Sequence, residues 1–188
     1  LAALYGTYYD QGLVDLEATM EDLGIDDLPP SLTEEEKQAT VEQLLKARSG
    51  VYHEAAAESQ SMKDARPTRG SHPPGTFWYY NNWDFNAAGA VFEMLTGMNV
   101  YDAVERDLAR PIEMQDFDRW KQQKSGNLER SRYPAYHMWF STRDMARIGY
   151  LMLRGGNCNG KQVVPKAWVK RITSVVTPLE EMNPPYRR

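Results

Sequence analysis

Apolar residues recur at helical spacing in several stretches of the chain, separated by polar segments rich in turn-forming residues. Leu1, Leu4, Tyr5 and Tyr8 share one face and predict a helix ending near Asp10-Gln11-Gly12. Thr33-Glu34-Glu35-Glu36 has the capping-box pattern, in which a hydroxyl and a carboxylate three residues apart each take the other's backbone N–H. It predicts the start of a helix carrying Val41, Leu44 and Leu45. Pro74-Gly75 marks a turn. An aromatic, amide-rich run then enters a helix with Phe85, Ala88, Phe92 and Leu95 inward, Asp84 or Asn82 as cap and Gly97 as stop. Asn99 caps a further helix with Val100, Ala103, Val104 and Leu108, broken at Pro111. Ser141-Thr142-Arg143-Asp144 opens another, with Met145, Ile148 and Met152 inward and Gly155 as stop. Asn157-Cys158-Asn159-Gly160-Lys161 is a turn signal, and at most a short hairpin is expected near residues 158–164. Trp168, Val169 and Ile172 give the last helical pattern. Ala55 to Pro74 and Gln115 to Tyr136 read as polar and irregular. The expected fold class is mostly α, with no repeat and no interdomain linker.

At 188 residues this is one domain's worth of chain, long enough for a sizeable core. The balance of 22 basic to 26 acidic residues, a net charge of −4, argues against a nucleic-acid partner. Nine of the 26 acidic residues lie between Asp15 and Glu36, a stretch without Lys or Arg that reads as a solvated face. Cys158 is alone, so no internal disulfide forms and the compartment stays open. His53, His72 and His137 lack metal-ligand spacing. No apolar run approaches the roughly 20 residues of a membrane span. Leu1-Ala2-Ala3-Leu4 has neither a basic region before it nor a cleavage pattern after it, so it is not read as a signal peptide. The chain starts without Met inside an apolar-periodic segment, and the expectation is a piece of something longer.

The candidate chemistry centres on Tyr80-Asn81-Asn82, a loop entering a helix. Such loops often present functional polar groups from a rigid scaffold. The plain alternative is a Tyr-rich turn packed over a core. Trp78, Tyr79 and Trp83 flank the loop, and either wall an aromatic cleft or pack inside. No nucleophile is found: none of Ser31, Ser49, Ser59, Ser61, Ser71, Ser125, Ser131, Ser141 or Ser174 has a Lys three residues later, and Gly-x-Ser-x-Gly is absent. Ser49, followed by Gly50, reads as a turn residue.

Pro74-Gly75-Thr76, then Tyr80-Asn81-Asn82, then a helix closing on Leu95-Thr96-Gly97 resembles the Tyr-x-Asn segment of the serine β-lactamase-related family. That family includes class C β-lactamases, DD-peptidases, β-lactamase-fold esterases and 6-aminohexanoate-oligomer hydrolases. The likeness continues through Gly12-Leu13-Val14-Asp15-Leu16, Leu45 to Val51, Ile112-Glu113-Met114 (where Glu113 replaces the family's Gly), Ser141 to Gly149, Asn159-Gly160-Lys161, Val163-Val164-Pro165 and Trp168-Val169. It covers nearly the whole chain. Counting from Pro74, Tyr80 and Asn82 match the family's Tyr and Asn, in preference to the competing register Tyr79-Asn81.

The resemblance implies a serine hydrolase performing acyl transfer on an ester, amide or β-lactam, without metal or organic cofactor. Tyr80 would act as general base, Asn82 would position a Lys or a substrate amide, and Trp78, Tyr79 and Trp83 would line the substrate cleft. The family's Ser-x-x-Lys is expected just upstream of Leu1, and its Lys-Thr-Gly or His-x-Gly beyond Arg188. Lys124-Ser125-Gly126 is discounted, because it precedes the helix that the family's motif follows. Residues 1–188 would then be the single helical region of an α+β, β-lactamase/transpeptidase-like domain, truncated at both ends and lacking most of its sheet. Such a chain alone is expected to be inactive. The partners implied are a small-molecule substrate and the remainder of the parent chain; localisation stays open between a periplasmic or secreted parent, which the resemblance slightly favours, and a cytoplasmic one. Two other readings are a non-catalytic homologue binding peptide or cell-wall fragments through the same cleft, and a helical scaffold without a small-molecule site.

Overall fold

The computed structural model describes residues 1–183; residues 184–188, the end of the expected helical region, lie outside it. Along the chain come helices α1 (Ala2–Asp10), α2 (Val41–Leu45) and α3 (Gln60–Ala65), strand β1 (Trp78–Tyr79), helices α4 (Asn82–Thr96) and α5 (Val100–Ala103), strands β2 (Gln123–Ser125) and β3 (Ala135–His137), helix α6 (Thr142–Leu153), strands β4 (Asn157–Cys158) and β5 (Lys161–Gln162), helix α7 (Lys166–Ile172) and strand β6 (Met182–Asn183). A wider, π-type turn over Val104–Ala109 follows α5. The strands pair two by two: β1 with β6 in parallel, β2 with β3, and β4 with β5 antiparallel. The one hairpin expected is present as β4–β5, and two further pairs accompany it. Strands of two or three residues carry no readable alternation, and β1 meets a partner far along the chain, so local pattern could not show them.

One compact unit gathers Leu1–Val14, Phe92–Gln123 and His137–Ser174. Helix α1 forms its centre. Tyr5 and Tyr8 pack their rings on Phe92 at 5.6 and 4.8 Å, tilted and edge-on. Trp168 of α7 lies directly on Gly6 and donates from its indole N–H to the Ala2 carbonyl at 2.8 Å. In the β4–β5 hairpin Asn159 (φ 50°) and Gly160 (φ 84°) supply the two positive φ angles that a tight two-residue turn needs. Helix α6 departs from expectation. Met145 is 53% exposed, whereas Asp144 and Leu151 are buried. Asp144 accepts from the backbone N–H groups of Gln115 and Asp116, and this anchoring turns Met145 outward.

The other unit comprises Asp15–Val91, Lys124–Tyr136 and the chain from Val175. Its core holds Leu16, Met20, Ile25, Val41, Leu44, Val51, Trp83, Ala87, Ala88 and Val91. The acidic stretch is not simply a solvated face: Asp27 and Glu36 are buried. Glu36 closes the capping box with Thr33 and also receives the Arg69 guanidinium, so its charge is met from several sides. The helix opened by Thr33 ends after the short 3-10 turn Glu36–Gln38. Ala39 is extended there, held by the Met20 N–H, and Thr40 with Gln43 makes a second capping box that starts α2. The predicted irregular loop Ala55–Pro74 contains α3, capped by Ser59. In α4 the buried face runs through Trp83, Asp84, Ala87, Ala88, Val91 and Phe92, while Phe85 and Leu95 are only half-buried. Asp27 holds the Trp83 indole and Ser49 holds Asp84, so two residues at the helix start set its rotation.

Candidate active site

The Tyr80–Asn82 loop is braced before it begins. The Gly75 N–H donates to the Arg48 carbonyl at 2.7 Å, and the Tyr79 N–H to the Ala47 carbonyl at 3.0 Å. Both acceptors lie in a turn where Ala47 has φ 54° and Gly50 φ 72°. A Cβ on Gly50 would stand 2.6 Å from the His72 carbonyl, so this close approach requires glycine. On the far side β6 runs beside β1, and the Tyr80 N–H reaches the Asn183 carbonyl at 3.4 Å.

Tyr80 is 41% exposed, its ring 5.4 Å from that of Phe85. Among the described residues its hydroxyl has no hydrogen-bond partner. Asn82 is the first residue of α4, and its amide Nδ2 donates to the Ala57 carbonyl at 2.5 Å. That bond fixes which way the amide faces and leaves Oδ1 as an acceptor. Neither Asn82 nor Asp84 supplies the cap expected of them: Asn81 does, its Oδ1 accepting the Trp83 N–H at 2.9 Å. The competing register is thus occupied structurally, with Asn81 buried and the Tyr79 hydroxyl donating to the Met62 carbonyl at 2.7 Å.

The three aromatic neighbours lie inward. Trp83 has no exposed surface, Tyr79 is 3% exposed and Trp78 9%. Their burial matches the packing alternative and leaves them little surface for a cleft wall. Trp83 also donates to Asp27 Oδ2 at 2.7 Å, which explains how an indole N–H is accommodated in the core.

Two serines share carboxylate partners, and neither arrangement makes a nucleophile. Ser131 is buried and donates to Asp27 Oδ2 at 2.6 Å, while both ring nitrogens of nearby His53 face the carbonyls of Leu28 and Glu54. A triad needs the imidazole between hydroxyl and carboxylate. Ser49, also buried, donates to Asp84 Oδ1 at 2.6 Å. Burial pushes the Asp84 carboxyl well above the ordinary carboxylate range, against the opposing effect of the Ser49 donors. Sequence reasoning misses this network, because Ser49-Gly50 and Asp84 each suggest only a local role. The Lys124 ammonium of Lys124-Ser125-Gly126 stands over the Tyr136 ring at 4.9 Å.

The sequence profile of the family described as Beta-lactamase matches residues 1–181. The chain belongs to the β-lactamase family. Solved structures agree on the fold of this β-lactamase-family chain. A Bacillus anthracis protein assigned as a 6-aminohexanoate-dimer hydrolase superposes with a TM-score of 0.66 at 20% identity, over 96% of this chain and 51% of that one. A penicillin-binding protein from Bacillus halodurans gives 0.62 at 16% identity, over 92% and 61%. A D-stereospecific amidohydrolase from Streptomyces gives 0.60 at 19%, over 93% and 62%. Among curated proteins, an uncharacterized protein of Alkalihalophilus pseudofirmus is 25% identical over 118 residues, 55% of this chain and 35% of that protein. The chain therefore spans about a third to three fifths of the length of these relatives.

Proposed function

We propose that these residues are the helical part of a serine hydrolase that transfers acyl groups from an ester, amide or β-lactam, with Tyr80 as general base and Asn82 as an orienting amide. One observation carries the reading: an exposed Tyr hydroxyl without a partner among the described residues stands two positions from an Asn whose amide is already oriented, on a loop braced from both sides. A phenol, ordinarily near pKa 10, needs a neighbouring cation to serve as a base near neutrality. In this proposal the cation and the nucleophile come from a Ser-x-x-Lys just before Leu1, with a Lys-Thr-Gly or His-x-Gly segment of the sheet after Arg188. The family membership and the hydrolase names of the structural relatives support the reaction class.

The reaction then divides the roles. The upstream Ser attacks the carbonyl as Tyr80, kept anionic by the Lys, takes its proton; Tyr80 returns that proton to the leaving group, and the acyl-enzyme is hydrolysed by the reverse sequence with water. Asn82 holds the Lys or the substrate amide. The test compares the 188-residue chain with the full-length protein on nitrocefin and a p-nitrophenyl ester. No turnover is expected from the former, whereas Tyr80→Phe in the latter lowers kcat by about 10²–10⁴-fold. Tyr80-dependent turnover by the 188-residue chain, or full activity in the Phe variant, overturns the assignment.

A further inference from the structure

We propose that Ser49, Asn81 and Asp84 form a buried clamp that positions Tyr80 and Asn82 for reaction, an inference that rests on the roles just given to those two residues. Asn81, the residue between them, is held at three points. Its Nδ2 donates to the Val51 carbonyl at 2.6 Å and to Asp84 Oδ1 at 3.3 Å, and its Oδ1 accepts from the Trp83 N–H at 2.9 Å. The same Asp84 oxygen receives the Ser49 hydroxyl at 2.6 Å, and the Ser49 oxygen accepts the Val51 N–H at 2.9 Å. The ring of bonds closes through two short segments, Ser49–Val51 and Asn81–Asp84.

All three side chains are buried: Ser49 is 2% exposed, Asn81 5% and Asp84 1%. A buried polar group left unsatisfied costs about 1–3 kcal/mol, so Ser49 and Asn81 each lean on Asp84, and Asp84 on both of them. With Asn81 fixed inward, its neighbours Tyr80 and Asn82 are the residues of the loop that retain surface. Asn82 then reaches the Ala57 carbonyl, and the Tyr80 hydroxyl stays unpaired among the described residues. Transition-state groups tolerate little misplacement, and an error of about 1 Å can cost on the order of 10²-fold in rate. The clamp residues are positioning residues; none has surface with which to touch substrate.

Two measurements test this. In the 188-residue chain, NMR hydrogen exchange of the Asn82 side-chain amide reports the loop without requiring activity. Protection is expected in the parent chain and in Asp84→Asn, and its loss in Asp84→Ala and Asn81→Ala. In the full-length protein, Asp84→Ala is expected to lower kcat on a p-nitrophenyl ester by about 10- to 100-fold with KM nearly unchanged. Asp84→Asn restores most of it, and adding Asp84→Ala to Tyr80→Phe lowers kcat by a smaller factor than Asp84→Ala does alone, the remainder reporting the displacement of Asn82. A folded Asp84→Ala variant that keeps both the Asn82 protection and kcat overturns the clamp. If that variant does not fold, Ser49→Ala and Asn81→Ala are measured in its place: loss of protection and of kcat supports the clamp, and retention of both overturns it. Should Tyr80→Phe leave kcat unchanged, the role of Tyr80 falls, and the Asn82 exchange still decides whether the clamp exists.

Discussion

Ser49 and Asp84 meet in the interior through a 2.6 Å hydrogen bond, hydroxyl to carboxylate, with no cation among the described groups bonded to that carboxyl. Desolvation therefore dominates, and the Asp84 proton is held more tightly in the folded protein than in the unfolded one. Below the ordinary carboxylate pKa both states are protonated, and the group does not bias folding. As pH rises past it, the unfolded state loses the proton first, so stability falls until the folded pKa is passed. Asp84→Asn keeps the acceptor oxygen and cannot ionise. Urea unfolding from about pH 4 to 8 is expected to show the variant gaining on the parent chain as pH rises, with a limiting slope of about 1.4 kcal/mol per pH unit.

Asp27 is the second buried hub. It takes the Trp83 indole, the Ser131 hydroxyl and the backbone N–H groups of Leu28 and Arg132. Asp27→Ala strands these donors and is expected to cost about 3–5 kcal/mol. Trp83→Phe removes one donor and part of the packing, and should cost about 1–3 kcal/mol by urea unfolding.

These two carboxylates also show where the sequence was legible. Caps and stops are local chemistry, so Ser141, Asn99, Gly97 and the Asn159-Gly160 turn could be read directly. The Tyr80–Asn82 loop stood out through its turn and its resemblance to a known segment. Asp27 was hidden, because an acid in an acidic stretch reads as solvated until its partners at Trp83 and Ser131 are known. Asn81 was hidden by its neighbours: three consecutive polar or phenolic side chains give no periodicity to say which one faces inward. The rotation of α4 followed from those same long-range bonds, and so Phe85 was expected where Trp83 and Asp84 lie.

Two helical glycines should respond oppositely to alanine. At Gly89 in α4 a Cβ would lie 2.2 Å from the Tyr136 ring. The helix-propensity gain of about 1 kcal/mol is outweighed by overpacking of about 1–3 kcal/mol, and Gly89→Ala is expected to destabilise. At Gly149 in α6 nothing lies within 4 Å of a Cβ. Gly149→Ala is expected to stabilise by about 0.5–1 kcal/mol. Thermal unfolding of the two variants side by side checks the contrast.

The Leu1 amine offers a test of a different kind, since only its charge need change. Burial lowers its pKa from 8.0 to about 6, so between these values the unfolded chain holds a proton that the folded chain has released. Stability consequently rises from about pH 6 to pH 8, and the penalty is largest below pH 6, on the order of 2 kcal/mol. Acetylating the amine removes the charge from both states. The acetylated chain is expected to be the more stable at about pH 6, to match the free amine at about pH 9, and to lose that segment of pH dependence. Urea unfolding of the two forms across this range reads the difference, and an unchanged profile would mean that the amine is solvated in the folded state. The same substitution of amide for amine occurs when residues precede Leu1, so an N-terminally extended chain should show the acetylated profile.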